Sequence, residues 1–208
     1  MRTPLCGRNW EYFGEDPLLA ARLSVPLICG IQSRDVAATA KHFILNEQEL
    51  ARDGVDTHCD ARTLNEIYLM PFRLAIEEAG LLSVMSSYNR IGGIWASEHP
   101  VMLKEVLRNR LGFKGMLTTD WGGQHSTVFA ANNGGGVEMH WGQGIKYNYQ
   151  AISNRFPLAE AVRRGEVAEA VVNDIAFRTL YVMAKTGFLG GKKRFVGSRN
   201  TKGHQAFA

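Results

Sequence analysis

Cysteine is scarce in this 208-residue chain. Cys6, Cys29 and Cys59 are the only three, and no two stand at Cys-x-x-Cys spacing. That excludes a zinc ribbon and a dithiol redox motif; the odd number points to buried thiols and leaves one bridge open. His-Glu-x-x-His is absent, and His125 and His140 lack ligand spacing to each other, so neither metal nor cofactor is expected. There is no Gly-x-Ser-x-Gly elbow and no Walker loop, which removes the serine-hydrolase and P-loop readings. No apolar run reaches the length of a bilayer span, so no membrane partner is expected. Residues 1–15 carry no charged-then-apolar signal pattern. That is expected of an intracellular protein, or of a chain whose true N-terminus lies upstream.

What is present is ordinary for a folded domain: 45% hydrophobic and 21% charged residues. The net charge of +4 is unevenly placed. Lys192, Lys193, Arg194, Arg199 and Lys202 form an acid-free cluster, so the rest of the chain is close to neutral. A nucleic-acid partner would need a basic face with readers on it. A solvated basic linker over 191–208 is the simpler expectation.

Strand-like and helix-like patterns alternate. Residues 36–43, 82–88 and 115–121 read as strands, and 136–139 as a fourth after Gly134-Gly135-Gly136. Helical spacing runs over 60–79, 100–111, 157–164 and 167–185. Asp60 with Thr63 marks a helix start, Gly80 a stop, and Pro71 a kink or break. Alternation of this kind predicts an α/β fold with parallel strands. About four strand–helix units fall short of the roughly 250 residues of a (β/α)8 barrel, so part of one is expected.

The chemistry-bearing residues fall at predicted strand ends: Lys41-His42, then Met85 to Tyr88, then Asp120-Trp121, then Glu138-Met139-His140. Neighbouring strand ends face one cavity in a barrel. Asp120 is the sharpest of these, because an aromatic ring and the turn Gly122-Gly123 follow it at once. A retaining glycosidase needs an ionised carboxylate nucleophile and a second carboxyl about 5 Å away. Nearby cations such as Lys41 or Arg52 would hold Asp120 ionised. The residues alone leave other roles open. Asp after a strand also caps helices, Lys41-His42 also fits a surface pair, and Met85, Tyr88 and Trp121 also fit a core.

The chain resembles glycoside hydrolase family 3, and within it the β-glucosidases. The matching pieces are Gly7-Arg8-Asn9-Trp10-Glu11 with Glu15-Asp16-Pro17, Ala40-Lys41-His42-Phe43, Asn46-Glu47-Gln48-Glu49 and Arg52. Ser83-Val84-Met85-Ser86-Ser87-Tyr88-Asn89, Leu111-Gly112-Phe113-Lys114-Gly115 and Thr119-Asp120-Trp121-Gly122 follow in the family's order, up to about Gly190. The resemblance implies Asp120 as the nucleophile. It implies Arg8, Lys41, His42 and Arg52 as hydrogen-bonding groups for the terminal sugar. Tyr88 is implied beside the nucleophile, with Met85 and Trp121 as subsite walls. Ile44-Leu45-Asn46 follows Lys41-His42-Phe43 where the family's N-acetylglucosaminidases carry a Pro-Gly-His-Gly type loop.

The implied fold is the C-terminal part of a TIM-like (β/α)8 barrel over 1–190, incomplete in this chain. The 191–208 tail would lead to a missing α/β sandwich domain that supplies the acid/base. Glu138 is therefore not assigned that role. Thr118-Thr119 stands where Val-Ser is usual, and 134–141 is atypical. The implied activity is retaining hydrolysis of terminal β-D-glucosyl residues, with a β-glucoside or oligosaccharide as partner. The alternatives are β-xylosidase or arabinosidase activity, or an inactive carbohydrate-binding relative. The family leans towards secretion.

Overall fold

Asp16-Pro17 opens the first long helix, α1 (Pro17–Gln32). The Asp16 carboxylate accepts from the Leu19 N–H at 2.8 Å, and Pro17 occupies a position where a missing N–H costs nothing. Residues 17–32 carry no clean helical period and hold Pro26 in their middle. Patterning alone does not announce this helix. It forms because its inner side packs on α3 (Leu69–Ala79), with Ala21 and Ile28 buried. Gln32 ties its end down, donating to the Ala79 carbonyl at 3.0 Å and accepting from the Leu82 N–H at 3.1 Å.

The computed structural model describes residues 2–139, 157–191 and 200–207. Strands β1 (Thr39–Phe43), β3 (Ser83–Ser86) and β6 (Met116–Thr119) form a parallel sheet in the order β1-β3-β6. Each lies inside a stretch read as strand from the sequence. The register is Thr39 with Ser83 and Ser83 with Met116, so the three strands finish level, at Phe43, Ser86 and Thr119. Gly115 is required for this closeness, since a Cβ there would strike the Leu82 carbonyl. A small second sheet joins β2 (Asp56–Thr57), β4 (Arg90–Ile91) and β5 (Ile94–Trp95). Gly92 and Gly93, both at positive φ, make the tight β4–β5 turn.

The fourth expected strand is reduced. Val137 makes one parallel bridge to Thr118, and residues 136–139 form no strand. Their polar groups still pair with the end of β6: Met139 N–H donates to Thr119 Oγ1 at 2.9 Å. His140, the end of the predicted strand, lies outside the described residues.

The 60–79 helix breaks as Pro71 predicts. Asp60 caps α2 (Ala61–Thr63), accepting from Thr63 N–H at 2.8 Å. A wider π-helical turn, Leu64–Tyr68, follows, and α3 then resumes with Pro71 in its first turn. Pro71 has no N–H to offer the carbonyl four residues back, so the chain widens there. The second predicted helix is likewise a π-helix, Val101–Arg110. Beyond α4 (Val128–Asn132), α5 (Leu158–Arg163) and α6 (Glu169–Lys185) match their predicted ranges. In the tail, α7 (Lys202–Phe207) is a short exposed helix, while Lys192, Lys193, Arg194 and Arg199 lie outside the described residues.

The core lies between the sheet and these helices. Phe43, Ile44, Val84, Leu103, Leu107 and Phe113 are fully buried, and Phe72 meets Phe43 edge-on at 5.1 Å. Cys6 is buried, Cys29 and Cys59 are exposed, and all three are unbridged.

One buried carboxyl group holds the loop after β6. Glu98, 3% exposed, accepts from the backbone N–H groups of His125 and Ser126 at 2.5 and 2.6 Å, and from the Ser126 hydroxyl at 3.0 Å. Beside it, Ser97 donates to the Gly123 carbonyl. Glu98→Ala leaves two part-buried backbone donors without this acceptor, so we expect a loss of about 1–3 kcal/mol in unfolding free energy. A denaturant midpoint within error of the parent would contradict this.

Candidate active site

The three level strand ends bring the chemistry together. Asp120 follows the last residue of β6, Tyr88 lies two residues beyond β3, and Lys41-His42 sits in β1. In β1 the pairing runs Lys41 to Met85 and then Phe43 to Ser86, so His42 is passed over. Such an irregularity re-aims a side chain that strict alternation would send elsewhere. The His42 side chain is 1% exposed, and its Nε2 lies 3.2 Å from Asp120 Oδ2.

Asp120 is a half-buried carboxylate in a tight turn. Its Oδ1 accepts from the Trp121 N–H at 2.8 Å, and its carbonyl from the Gly123 N–H at 3.0 Å. Gly122 at φ 68° makes this turn, as the glycine pair in the sequence suggested. The helix-cap alternative falls away: the next helix, α4, begins at Val128 and has no side-chain cap. Burial pushes the Asp120 carboxyl up, but His42, the Trp121 amide and Tyr88 together outweigh it and hold the group below the usual range. Asp120 is therefore ionised at neutral pH.

Tyr88 is buried beside it. Its hydroxyl donates to the Trp121 carbonyl at 2.7 Å, and the Arg52 guanidinium lies 4.6 Å from its ring centre. Burial first, and then the charge of Asp120, raise the phenol well above its ordinary value. Trp121 is 54% exposed, a flat apolar surface next to the carboxylate. Met85 is half-buried on the central strand, level with Lys41 and Thr118; register links it to the cluster, and no polar contact does.

The cations are held by acids that sequence reasoning quoted but gave no role. Glu11 receives Arg8 on both oxygens at 2.7 Å and Lys41 Nζ at 2.7 Å. The Arg8 bond first, and then Lys41, draw Glu11 down to about 2 against the opposing effect of burial. Glu49 receives Arg52 at 2.8 Å. Both pairs are three residues apart, so the signal was present in the spacing. Tyr12 was missed as well; its hydroxyl lies 2.8 Å from His42 Nδ1. No spacing rule points to it.

The depressed Glu11 predicts a pH dependence. Its contribution to stability is complete above the ordinary carboxylate value of 4.5 and is lost as pH falls towards about 2. Unfolding curves at pH 5 and 2.5 should therefore converge less in the parent than in Glu11→Gln, whose stability lacks this component. Parallel pH dependences for the two proteins would contradict it.

The arrangement is an ionised carboxylate flanked by an imidazole, a phenol and an indole; His42, the Trp121 amide and Tyr88 hold it ionised rather than the expected Lys41 or Arg52, which are paired with Glu11 and Glu49. That set suits a polyhydroxylated ligand attacked by a carboxylate. Residues 1–182 match the model of the glycosyl hydrolase family 3 N-terminal domain. The chain belongs to glycosyl hydrolase family 3. It is 43% identical to a β-glucosidase of Rhizobium radiobacter over 189 residues, which is 89% of this chain and 22% of that relative. It is 40% identical to thermostable β-glucosidase B of Acetivibrio thermocellus, over 88% of this chain and 23% of that protein. Among solved structures, the β-D-glucoside glucohydrolase of Trichoderma reesei superposes with a TM-score of 0.84 at 40% identity, covering 99% of this chain and 29% of that one. DesR, a β-glucosidase from Streptomyces venezuelae in complex with D-glucose, gives 0.84 at 35% identity, covering 99% and 27%. The chain thus spans about a quarter of the length of the relatives it matches.

Proposed function

We propose that residues 1–208 carry the nucleophile side of a retaining β-glucosidase active site. Asp120 attacks the anomeric carbon, and Arg8, Lys41, His42 and Arg52 hold hydroxyls of the terminal glucosyl unit. Tyr88 restrains the carboxylate, and Met85 and Trp121 wall the subsites. The single observation that carries the reading is Asp120. It is kept ionised in a half-buried position, 3.2 Å from His42 and beside an exposed indole. The β-glucosidase relatives at about 40% identity support glucose as the sugar.

The acid/base lies outside residues 1–208 in this reading. A general acid needs a raised pKa, whereas Glu11 is drawn down to about 2 by two cations and Glu49 is paired with Arg52. The 1–190 segment is then the C-terminal part of a (β/α)8 barrel, and 191–208 a linker to an α/β sandwich domain. Two features support an unfinished barrel. First, β1 is an edge strand. Second, a cavity of about 360 Å³ beside it is lined by Glu11, Tyr12, Lys41 and His42 but also by many apolar side chains, among them Leu27, Ile31, Ile67 and Phe72. Those apolar walls suit a packed strand better than sugar hydroxyls.

The test is a panel of aryl β-glucoside, β-xyloside and α-arabinoside with the complete polypeptide that carries these residues. The expected result is kcat/KM highest for the glucoside. A preference for a pentoside would replace the substrate assignment, and binding without turnover of any would point to an inactive relative.

A further inference from the structure

Both ring nitrogens of His42 lie close to a named group, Nδ1 in hydrogen-bond geometry and Nε2 at ion-pair distance but off the line of a hydrogen bond. Nε2 lies 3.2 Å from Asp120 Oδ2, and Nδ1 lies 2.8 Å from the Tyr12 hydroxyl. A neutral imidazole carries one proton, and the partner of one nitrogen decides where it sits. An ionised carboxylate only accepts, so its contact with Nε2 is attractive only when Nε2 bears hydrogen. Nδ1 is then a bare acceptor on a side chain that is 1% exposed, which is costly unless a donor reaches it. The Tyr12 hydroxyl is in place to be that donor. Burial holds its phenol well above the ordinary range, so it keeps its hydrogen at working pH.

We infer that Tyr12 is a positioning residue: it donates to His42 Nδ1 and so fixes the imidazole proton on Nε2, the nitrogen 3.2 Å from Asp120 Oδ2. The catalytic consequence rests on Asp120 being the nucleophile; the tautomer itself does not. With the proton held on Nε2, His42 stabilises the anion of Asp120 in the free enzyme. It can also turn the same N–H to a sugar hydroxyl once the carboxylate is engaged. Without the Tyr12 hydroxyl, the proton can move to Nδ1. A bare Nε2 lone pair then faces the carboxylate, and Asp120 becomes easier to protonate.

Other charged or titratable groups bear on this pair. Arg8, Glu11, Glu49 and Cys6 surround Tyr12, Lys41 is held by Glu11, and Tyr88 faces Asp120 with Arg52 and Asp53 beyond it. Tyr12→Phe leaves all of them in place and removes one oxygen, so a shift in the pH profile reports on His42.

The experiment uses the complete polypeptide. Long-range ¹H–¹⁵N spectra of histidine distinguish the two neutral tautomers and the imidazolium. The expected result is neutral His42 protonated on Nε2 in the parent, and a mixture of tautomers in Tyr12→Phe. The variant's kcat/KM should fall about tenfold, and its acid limb should move up by about half a pH unit. An Nδ1–H pattern for the neutral ring in the parent would overturn the inference. So would an unchanged tautomer and acid limb in the variant. If Tyr12→Phe does not fold, the parent spectrum decides alone. Failure of the nucleophile assignment is read separately, from Asp120→Asn, and leaves the spectrum intact.

Discussion

Asp120→Asn in the complete enzyme should lower kcat by about 10³-fold or more while leaving substrate affinity largely intact, an effect confined to the transition state. The amide keeps the shape of the side chain and can still meet the Trp121 N–H and the His42 ring, which lie 2.8 and 3.2 Å from the carboxylate oxygens. What it lacks is the negative oxygen that, in the proposed role, bonds to the anomeric carbon and later leaves as a carboxylate. Folding should survive, because the turn depends on Gly122 and on the Gly123 N–H bond to the residue 120 carbonyl, neither of which changes. Steady-state kinetics on an aryl β-glucoside make the measurement. Turnover within tenfold of the parent would remove Asp120 from the role.

The second large effect concerns residues 1–208 expressed alone. General acid–base catalysis contributes about 10²–10⁴-fold, and in the proposed arrangement that acid lies elsewhere. The chain alone should therefore hydrolyse cellobiose at least that much more slowly than the complete polypeptide. It should also associate, for two structural reasons. Among the described residues, β1 presents an unpaired parallel edge. On α1, Leu18, Leu19, Leu23 and Leu27 are each about half exposed. Assays and light scattering on the purified chain make the measurement. Robust hydrolysis by a monodisperse 208-residue protein would overturn both the placement of the acid and the unfinished barrel.

How much of this was readable from the sequence differs by element. The strands of the main sheet were legible as short runs with apolar and β-branched residues. β3 and β6 are mostly buried, as parallel strands covered on both faces are, whereas β1 exposes Thr39 and Lys41 and buries only its end. The break in the 60–79 helix was legible from Pro71, since a missing N–H has a local consequence. Helix α1 was not, because its stability comes from packing on α3 rather than from capping and period alone. The fourth strand was over-read: its glycines allow residue 136 to approach Leu117 closely, yet only Val137 completes a bridge.

At the site, Asp120, Lys41 and His42 were legible as polar groups at strand ends, and the ordered motifs assigned them. Their partners were less so. The Glu11 and Glu49 pairings follow from three-residue spacing to Arg8 and Arg52. The Tyr12 contact with His42 and the Glu98 brace of the 125–126 backbone span about 30 residues of chain. Tertiary packing alone creates such contacts, and no local pattern records them.

The most direct measurement is covalent trapping. A 2-deoxy-2-fluoro-β-glucoside with a good leaving group lets the first displacement occur and slows the second, so the glycosyl-enzyme accumulates. Digestion and mass mapping of the trapped complete enzyme should place one fluoroglucosyl adduct on the peptide containing Asp120. An adduct on any other carboxylate, with the Asp120 peptide unmodified, would contradict the central assignment.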